Sequence, residues 1–159
     1  MLKPAIYPIP APPAAWLSIV ARPRGGDWLD DELAALRTAG VDVLVCLLTA
    51  AERDELGLAD EPAAAIRAGL EFHGHAIADL GVPDHLAVEP LLDLLLTALR
   101  RGRHVSVHCR ASIGRSSLIV AALLTRLGVD IEQAWDDIAR ARGVPVPETA
   151  EQHRWPVSR

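Results

Sequence analysis

Cys109, Arg115 and Ser116 bring a thiol, a guanidinium and a hydroxyl together in the stretch His104-Val-Ser-Val-His-Cys-Arg-Ala-Ser-Ile-Gly-Arg-Ser-Ser117. Arg110, Ala111, Ser112, Ile113 and Gly114, between the cysteine and the arginine, have the length and composition of a tight loop. A loop that leaves a strand and enters a helix N-terminus turns its backbone N–H groups inward, and these with the helix dipole form a cradle for an anion. Inside such a cradle a thiol is pushed toward thiolate. Arg115 can reach back with a planar fork that matches two oxygens of a phosphate. A nucleophile, an oxyanion cradle and a bidentate clamp in one pocket predict phosphoryl transfer through cysteine.

That chemistry requires the right elements on either side. His104–His108 reads as a short buried strand, and residues 118–127 are apolar nearly all round, as in a helix buried in a core. Trp16–Val20 reads as an edge strand running into Arg22-Pro-Arg-Gly-Gly26, where the glycines mark a turn. Asp27 is expected to cap a helix over 28–38, with Gly40 beyond its end. Residues 41–48 read as a strand buried on both faces. Thr49 and Glu52 fit a capping box for a helix over 50–56, and Pro62 opens another over 62–68. A strand over 71–77, a loop over 79–84 and a long amphipathic helix over 85–101 follow. Asp130 caps a helix over 131–142 that Gly143 terminates. After an extended Val144-Pro-Val-Pro147, Thr149 starts a last helical turn. Strands alternating with helices predict an α/β fold, with a central largely parallel sheet flanked by helices. In such sheets ligands bind beyond the carboxyl ends of the strands, where Cys109 sits.

His108-Cys109-Arg110-Ala111-Ser112-Ile113-Gly114-Arg115-Ser116 resembles the His-Cys-x5-Arg-Ser/Thr signature of the cysteine-dependent protein tyrosine and dual-specificity phosphatases. The one departure is Ser112, where that family usually has glycine. Further segments look like small members of the family: Pro23-Arg-Gly-Gly-Asp-Trp28, Leu47-Leu-Thr49 with Glu52 and Leu56-Gly57, and Thr149-x-x-Gln152. The resemblance implies a protein tyrosine phosphatase-like domain over 16–159 behind an extended segment over 1–15. It also implies that the backbone amides of Arg110, Ala111, Ser112, Ile113, Gly114 and Arg115 hold a substrate phosphate with the Arg115 side chain.

Displacing an alkoxide or phenoxide from phosphorus is helped by an acid that protonates the leaving oxygen. A loop carboxylate after a strand, near Gly81 and Pro83, suits that task, and both Asp79 and Asp84 qualify. The resemblance favours Asp79, because small bacterial and kinase-associated phosphatases carry a similar acidic segment about thirty residues before the cysteine. It further implies that Ser116 hydrogen-bonds the departing thiolate, that His108 orients the loop, and that Gln152 positions water. The expected activity is hydrolysis of phosphotyrosine, and also phosphoserine or phosphothreonine, on a protein or peptide through a phosphocysteine. Two alternatives stay open: a non-catalytic phosphate-binding module, and a phosphatase of a non-protein substrate. The chemistry calls for no metal and no cofactor. His73 and His75 share a strand face, but two histidines without a third ligand make a poor metal site.

The 159-residue chain suits one domain, with 50% hydrophobic residues to build a core and a formal net charge of −5 that points neither to nucleic acid nor to an anionic membrane. Locally the balance reverses: Arg100, Arg101, Arg103, Arg110 and Arg115 fall in a stretch without acidic residues, an expected source of positive potential. Five prolines among the first 13 residues are unlike a signal peptide, and no apolar run reaches membrane-span length, so a cytoplasmic location is expected. Two cysteines make no disulfide framework. Cys46, in a buried strand, reads as core, with a protective disulfide to Cys109 available if the two lie side by side.

Overall fold

A computed structural model describes residues 3–158. Five strands form one sheet in the order β1 (Ile6–Ile9), β2 (Trp16–Val20), β5 (His104–His108), β3 (Val43–Cys46) and β4 (Glu71–Gly74). β1 pairs with β2 antiparallel and every other pairing is parallel. The expected α/β architecture with a largely parallel, helix-flanked sheet is therefore present. The central strands β5 and β3 read as apolar runs because helices cover both their faces.

The helices are α1 (Leu29–Thr38), α2 (Ala50–Glu55), α3 (Glu61–Arg67), α4 (His85–Arg100), α5 (Arg115–Arg126), α6 (Ile131–Arg142) and α7 (Ala150–Arg154). Side chains alternate between the two sheet faces with the period-two rule of strands. Val43, Val45, Val105, Val107 and Cys109 join the core built with α4, α5 and α6. Leu44 and Cys46 face the other way, into the core built with α1 and α3. Cys46 and Cys109 thus belong to opposite faces of the sheet, and both thiols are free. Among the described residues no helix is long and apolar enough to cross a membrane.

Several elements differ from expectation. The N-terminal segment contributes β1, so Trp16–Val20 is an inner strand and not the edge. β1 is the edge instead, which is where a strand can accommodate Pro8. Asp27 does not cap α1: it lies inside a 3₁₀ turn, Gly26–Trp28, and Trp28 takes the N-cap position without a side-chain bond. The strands expected over 41–48 and 71–77 are shorter, Val43–Cys46 and Glu71–Gly74. The capping boxes at Thr49–Glu52 and Thr149–Gln152 both form, as do the Asp130 cap and the left-handed Gly143 terminus of α6. α5 begins three residues earlier than the apolar run suggests, so Arg115 and Ser116 stand on its first turn.

Candidate active site

β5 ends at His108 and α5 starts at Arg115, so the intervening loop is fixed at both ends by buried elements. Cys109 is 2% exposed. Ser112 takes a left-handed backbone, φ 56°, a conformation that explains the glycine usual at that place in the resembling family. The serine offsets its strain with its side chain: Ser112 Oγ donates to the carbonyl of Val20 at 2.8 Å and lies 3.5 Å from the backbone N–H of Cys109. The outer side of the loop is held by two arginines. Arg142 Nε donates to the Ser112 carbonyl at 2.8 Å, Arg142 Nη2 to the Ala111 carbonyl at 3.4 Å, and Arg22 Nη1 to the Arg110 carbonyl at 3.4 Å. With carbonyls engaged outward, the loop amides are left for the pocket. The Arg142 guanidinium also lies over the Tyr7 ring at 4.0 Å, which connects the loop to β1.

Arg115 is a buried cation with defined partners. Nη1 donates to Glu52 Oε1 at 2.6 Å and to the Ile77 carbonyl at 2.9 Å, while Nη2 donates to Glu52 Oε2 at 2.9 Å. Asp79 Oδ1 lies 3.3 Å from Nη2. A guanidinium has five N–H donors in a fixed fork. Here one edge is fixed by Glu52, and the Nε–H has no hydrogen-bond partner among the described residues, so the Nε/Nη2 edge is the one available to an anion. The Arg115 hydrogen bond, helped by the Thr49 backbone N–H and opposed by burial, lowers Glu52 from the ordinary 4.5 to about 2. A depressed carboxylate adds stability above its ordinary range and loses it as pH falls toward the folded value. Glu52→Gln, which retains a capping-box residue, is expected to be about 2 kcal/mol less stable than wild type at pH 7. In denaturant melts the gap should narrow as pH falls from about 4.5 and close only below about pH 2.

Asp79 sits on the loop after β4, its Oδ1 also accepting the Leu80 N–H at 3.0 Å, with Leu80 itself left-handed at φ 64°. The C-terminal segment pins that loop: Gln152 Nε2 donates to the Gly81 carbonyl at 3.1 Å and Trp155 Nε1 to the Pro83 carbonyl at 2.9 Å. Gln152 is fully buried, not the surface residue its short helix suggests, and its Oε1 accepts the N–H groups of Glu148 and Thr149. It also touches the cysteine loop, since a Cβ on Gly114 would lie 3.0 Å from Gln152 Oε1 and 2.7 Å from Glu148 Oε1. A larger residue there would push the Glu148 and Gln152 side chains aside. Asp84 is taken up elsewhere, its carboxylate capping α4 through the Ala87 N–H. Ser116 is fully buried, and its Oγ has no hydrogen-bond partner among the described residues.

His108 is fully buried, its Nε2 2.6 Å from Glu61 Oε2 and its Nδ1 3.2 Å from the Cys109 carbonyl oxygen. Burial alone pushes the imidazole down, but the Glu61 carboxylate and the nearby Cys46 outweigh it and hold the ring well above its ordinary value. Cys46, Glu61 and His108 place donor atoms within 4.8 Å of one another, but the His108–Glu61 contact already engages both groups. His73 is bonded to Glu71 at 2.8 Å.

The arginine-rich stretch is less cationic in space than in sequence. Arg103 pairs with Glu71, Arg110 with Glu55, and Arg115 with Glu52. Glu61, Arg22, Arg142 and Tyr7 were not singled out by sequence reasoning, because each reaches the site through tertiary contact. An acid in a first helical turn and an arginine in a last one are commonplace.

A family model described as "Tc-R-P: Polymorphic toxin system, DSP-PTPase phosphatase" matches residues 20–129. Human cyclin-dependent kinase inhibitor 3 is 36% identical over 89 residues, 55% of this chain and 42% of that protein. Mouse protein tyrosine phosphatase domain-containing protein 1 is 33% identical over 79 residues, 48% of this chain and 10% of that one. The chain thus spans less than half the length of the curated relatives it matches. Among solved structures, kinase associated phosphatase with its catalytic-site cysteine replaced by serine is similar at a TM-score of 0.86 and 22% identity, covering 99% of this chain and 94% of that one. A putative protein tyrosine phosphatase from Leishmania major gives 0.76 and 20%, covering 99% of each chain. The fold of the phosphatases and the matched family model agree: the chain belongs to the Tc-R-P family of DSP-PTPase phosphatases.

Proposed function

We propose that the chain hydrolyses phosphomonoesters through a phosphocysteine, acting on phosphotyrosine and also on phosphoserine or phosphothreonine in a protein or peptide. The observation that carries this reading is the 3.3 Å approach of Asp79 to Arg115, which brings the acid loop to the cysteine loop. The Cys109 thiolate attacks phosphorus, the bond to the leaving oxygen breaks, and Asp79 gives that oxygen its proton. The amides of residues 110–115 and the Nε/Nη2 edge of Arg115, once Asp79 has moved off it, stabilise the equatorial oxygens. Asp79, now a carboxylate, takes a proton from water as it attacks the phosphocysteine, and phosphate leaves with the thiolate restored. The unpartnered Ser116 hydroxyl is free to donate to that thiolate. Gln152, whose amide holds the Gly81 carbonyl, keeps the acid loop in place.

The test is phosphate release from phosphotyrosine and phosphothreonine peptides, with Asp79→Asn as the diagnostic variant. Its kcat is expected to fall about 100-fold on a peptide, where the leaving group is a poor one, and far less on an activated aryl phosphate. Equal losses on both would remove Asp79 from the acid role. Binding of phosphopeptide without release from any substrate would leave a phosphate-binding module. Turnover of small phosphate esters alone would indicate a non-protein substrate.

A further inference from the structure

Glu61 and His108 form the most enclosed charged pair among the described residues, each with 0% side-chain exposure. The histidine is the last residue of β5 and the neighbour of Cys109, while the carboxylate comes from the first turn of α3. The ring lies 3.2 Å from the Cys109 carbonyl at Nδ1 and 2.6 Å from Glu61 Oε2 at Nε2, with the Cys46 thiol beside it. A carbonyl oxygen only accepts, and so does a carboxylate, so a ring bonded to both donates from both nitrogens and is an imidazolium. The other carboxylate oxygen, Glu61 Oε1, is buried with no hydrogen-bond partner among the described residues. A buried carboxylate in that state needs an adjacent cation to remain ionised. The titratable groups that face His108 are Glu61 from α3 and Cys46 from β3, whose Cα pairs with His108 in the sheet.

We propose that Glu61 is a positioning residue for the nucleophile, holding His108 with both ring N–H groups donating so that an imidazolium is fixed against the Cys109 backbone. The cation then lies against the Cys109 carbonyl at the end of β5, while the α5 N-terminus closes the other end of the loop. Both favour the thiolate by the same electrostatic rule. Glu61 touches neither the thiol nor a substrate, and its influence passes through His108. This inference rests on the phosphatase reading only for its effect on turnover. Its effect on the thiol is separately measurable.

Carboxymethylation of Cys109 by iodoacetate, followed by peptide mass, reports thiolate without any turnover. In Glu61→Gln the rate at pH 6 is expected to fall about tenfold, while the rate at pH 10, where either protein is thiolate, stays within about twofold. In a His108→Gln background the Glu61 substitution should add nothing further, as expected when one group acts through the other. Equal rates at pH 6 for wild type and Glu61→Gln would overturn the proposal. So would a full tenfold loss in the His108→Gln background. Should Glu61→Gln fail to fold, ¹⁵N spectra of the wild-type histidines decide: both His108 ring nitrogens are expected to stay protonated at pH 7.5, and an unprotonated Nε2 would overturn the proposal. A chain with this alkylation profile that releases no phosphate loses the phosphatase reading and keeps the inference. Normal turnover with unchanged alkylation does the reverse.

Discussion

Replacing Cys109 by serine is expected to lower kcat/KM for a phosphotyrosine peptide by 10⁴-fold or more, on the order seen when a covalent nucleophile is removed. A hydroxyl at that position is far too weak an acid to be ionised by the same surroundings, so the first step stops. Affinity should hardly change, because the loop amides and Arg115 remain. A phosphopeptide Kd within about tenfold of wild type, measured by calorimetry, would separate loss of the nucleophile from collapse of the pocket. The site is 2% exposed, and a buried hydroxyl costs roughly 1–3 kcal/mol unless it finds a partner, so the variant should remain folded. Residual turnover within a hundredfold of wild type would place the nucleophile elsewhere and refute the phosphocysteine mechanism.

Arg115→Lys is expected to lower kcat/KM by about 10³-fold while also lowering the melting temperature by several degrees. Lysine keeps the charge but replaces a planar fork with a point donor. Three contacts shape the arginine at present, two to Glu52 and one to the Ile77 carbonyl. An ammonium cannot satisfy all three and still present two donors to phosphate. The stability cost, about 2–4 kcal/mol, comes from Glu52, whose part-buried carboxylate would be left incompletely paired. Kinetics well below the transition temperature, set beside thermal melts, tell the two effects apart. A double variant with Glu52→Gln should recover part of the stability and none of the activity. If Arg115→Lys were nearly as active as wild type, bidentate clamping would not be the arginine's function.

The parts of the site that were legible in the sequence are those that lie next to one another along the chain. Strand β5, the loop and helix α5 are contiguous, so their apolar runs and the Cys109–Arg115 spacing are readable together. The loop pattern offered both Asp79 and Asp84, the family resemblance favoured Asp79, and the fold brings Asp79 to 3.3 Å from Arg115 while Asp84 caps α4. Glu52 was visible only for its local task, the capping box, and its grip on Arg115 across 63 positions was not. Tyr7, Arg22, Glu61 and Arg142 are similar cases, ordinary residues whose roles arise when distant elements pack. The strand at Ile6–Ile9 was hidden by its prolines, which argue against a strand except at an edge, and the edge is where it lies. Arg110 and Arg115 looked like a source of open positive charge because the carboxylates that balance them, Glu52 and Glu55, come from α2.

The contact between Asp79 and Arg115 sets a carboxylate of the chain itself on the edge that a phosphate would take. A carboxylate resting 3.3 Å from the Nη2 of the clamp must move off before phosphate can take the same edge. Asp79 has a side-chain exposure of 58%, and a pair so open to water contributes less than about 1 kcal/mol. Displacing it therefore weakens the hold on an incoming phosphate by no more than about fivefold. The same displacement runs backward when turnover ends: the returning carboxylate competes with inorganic phosphate for the arginine. In the proposed cycle, a resident anion of this kind would compete with free phosphate for the site, so the acid loop would also help to clear the product.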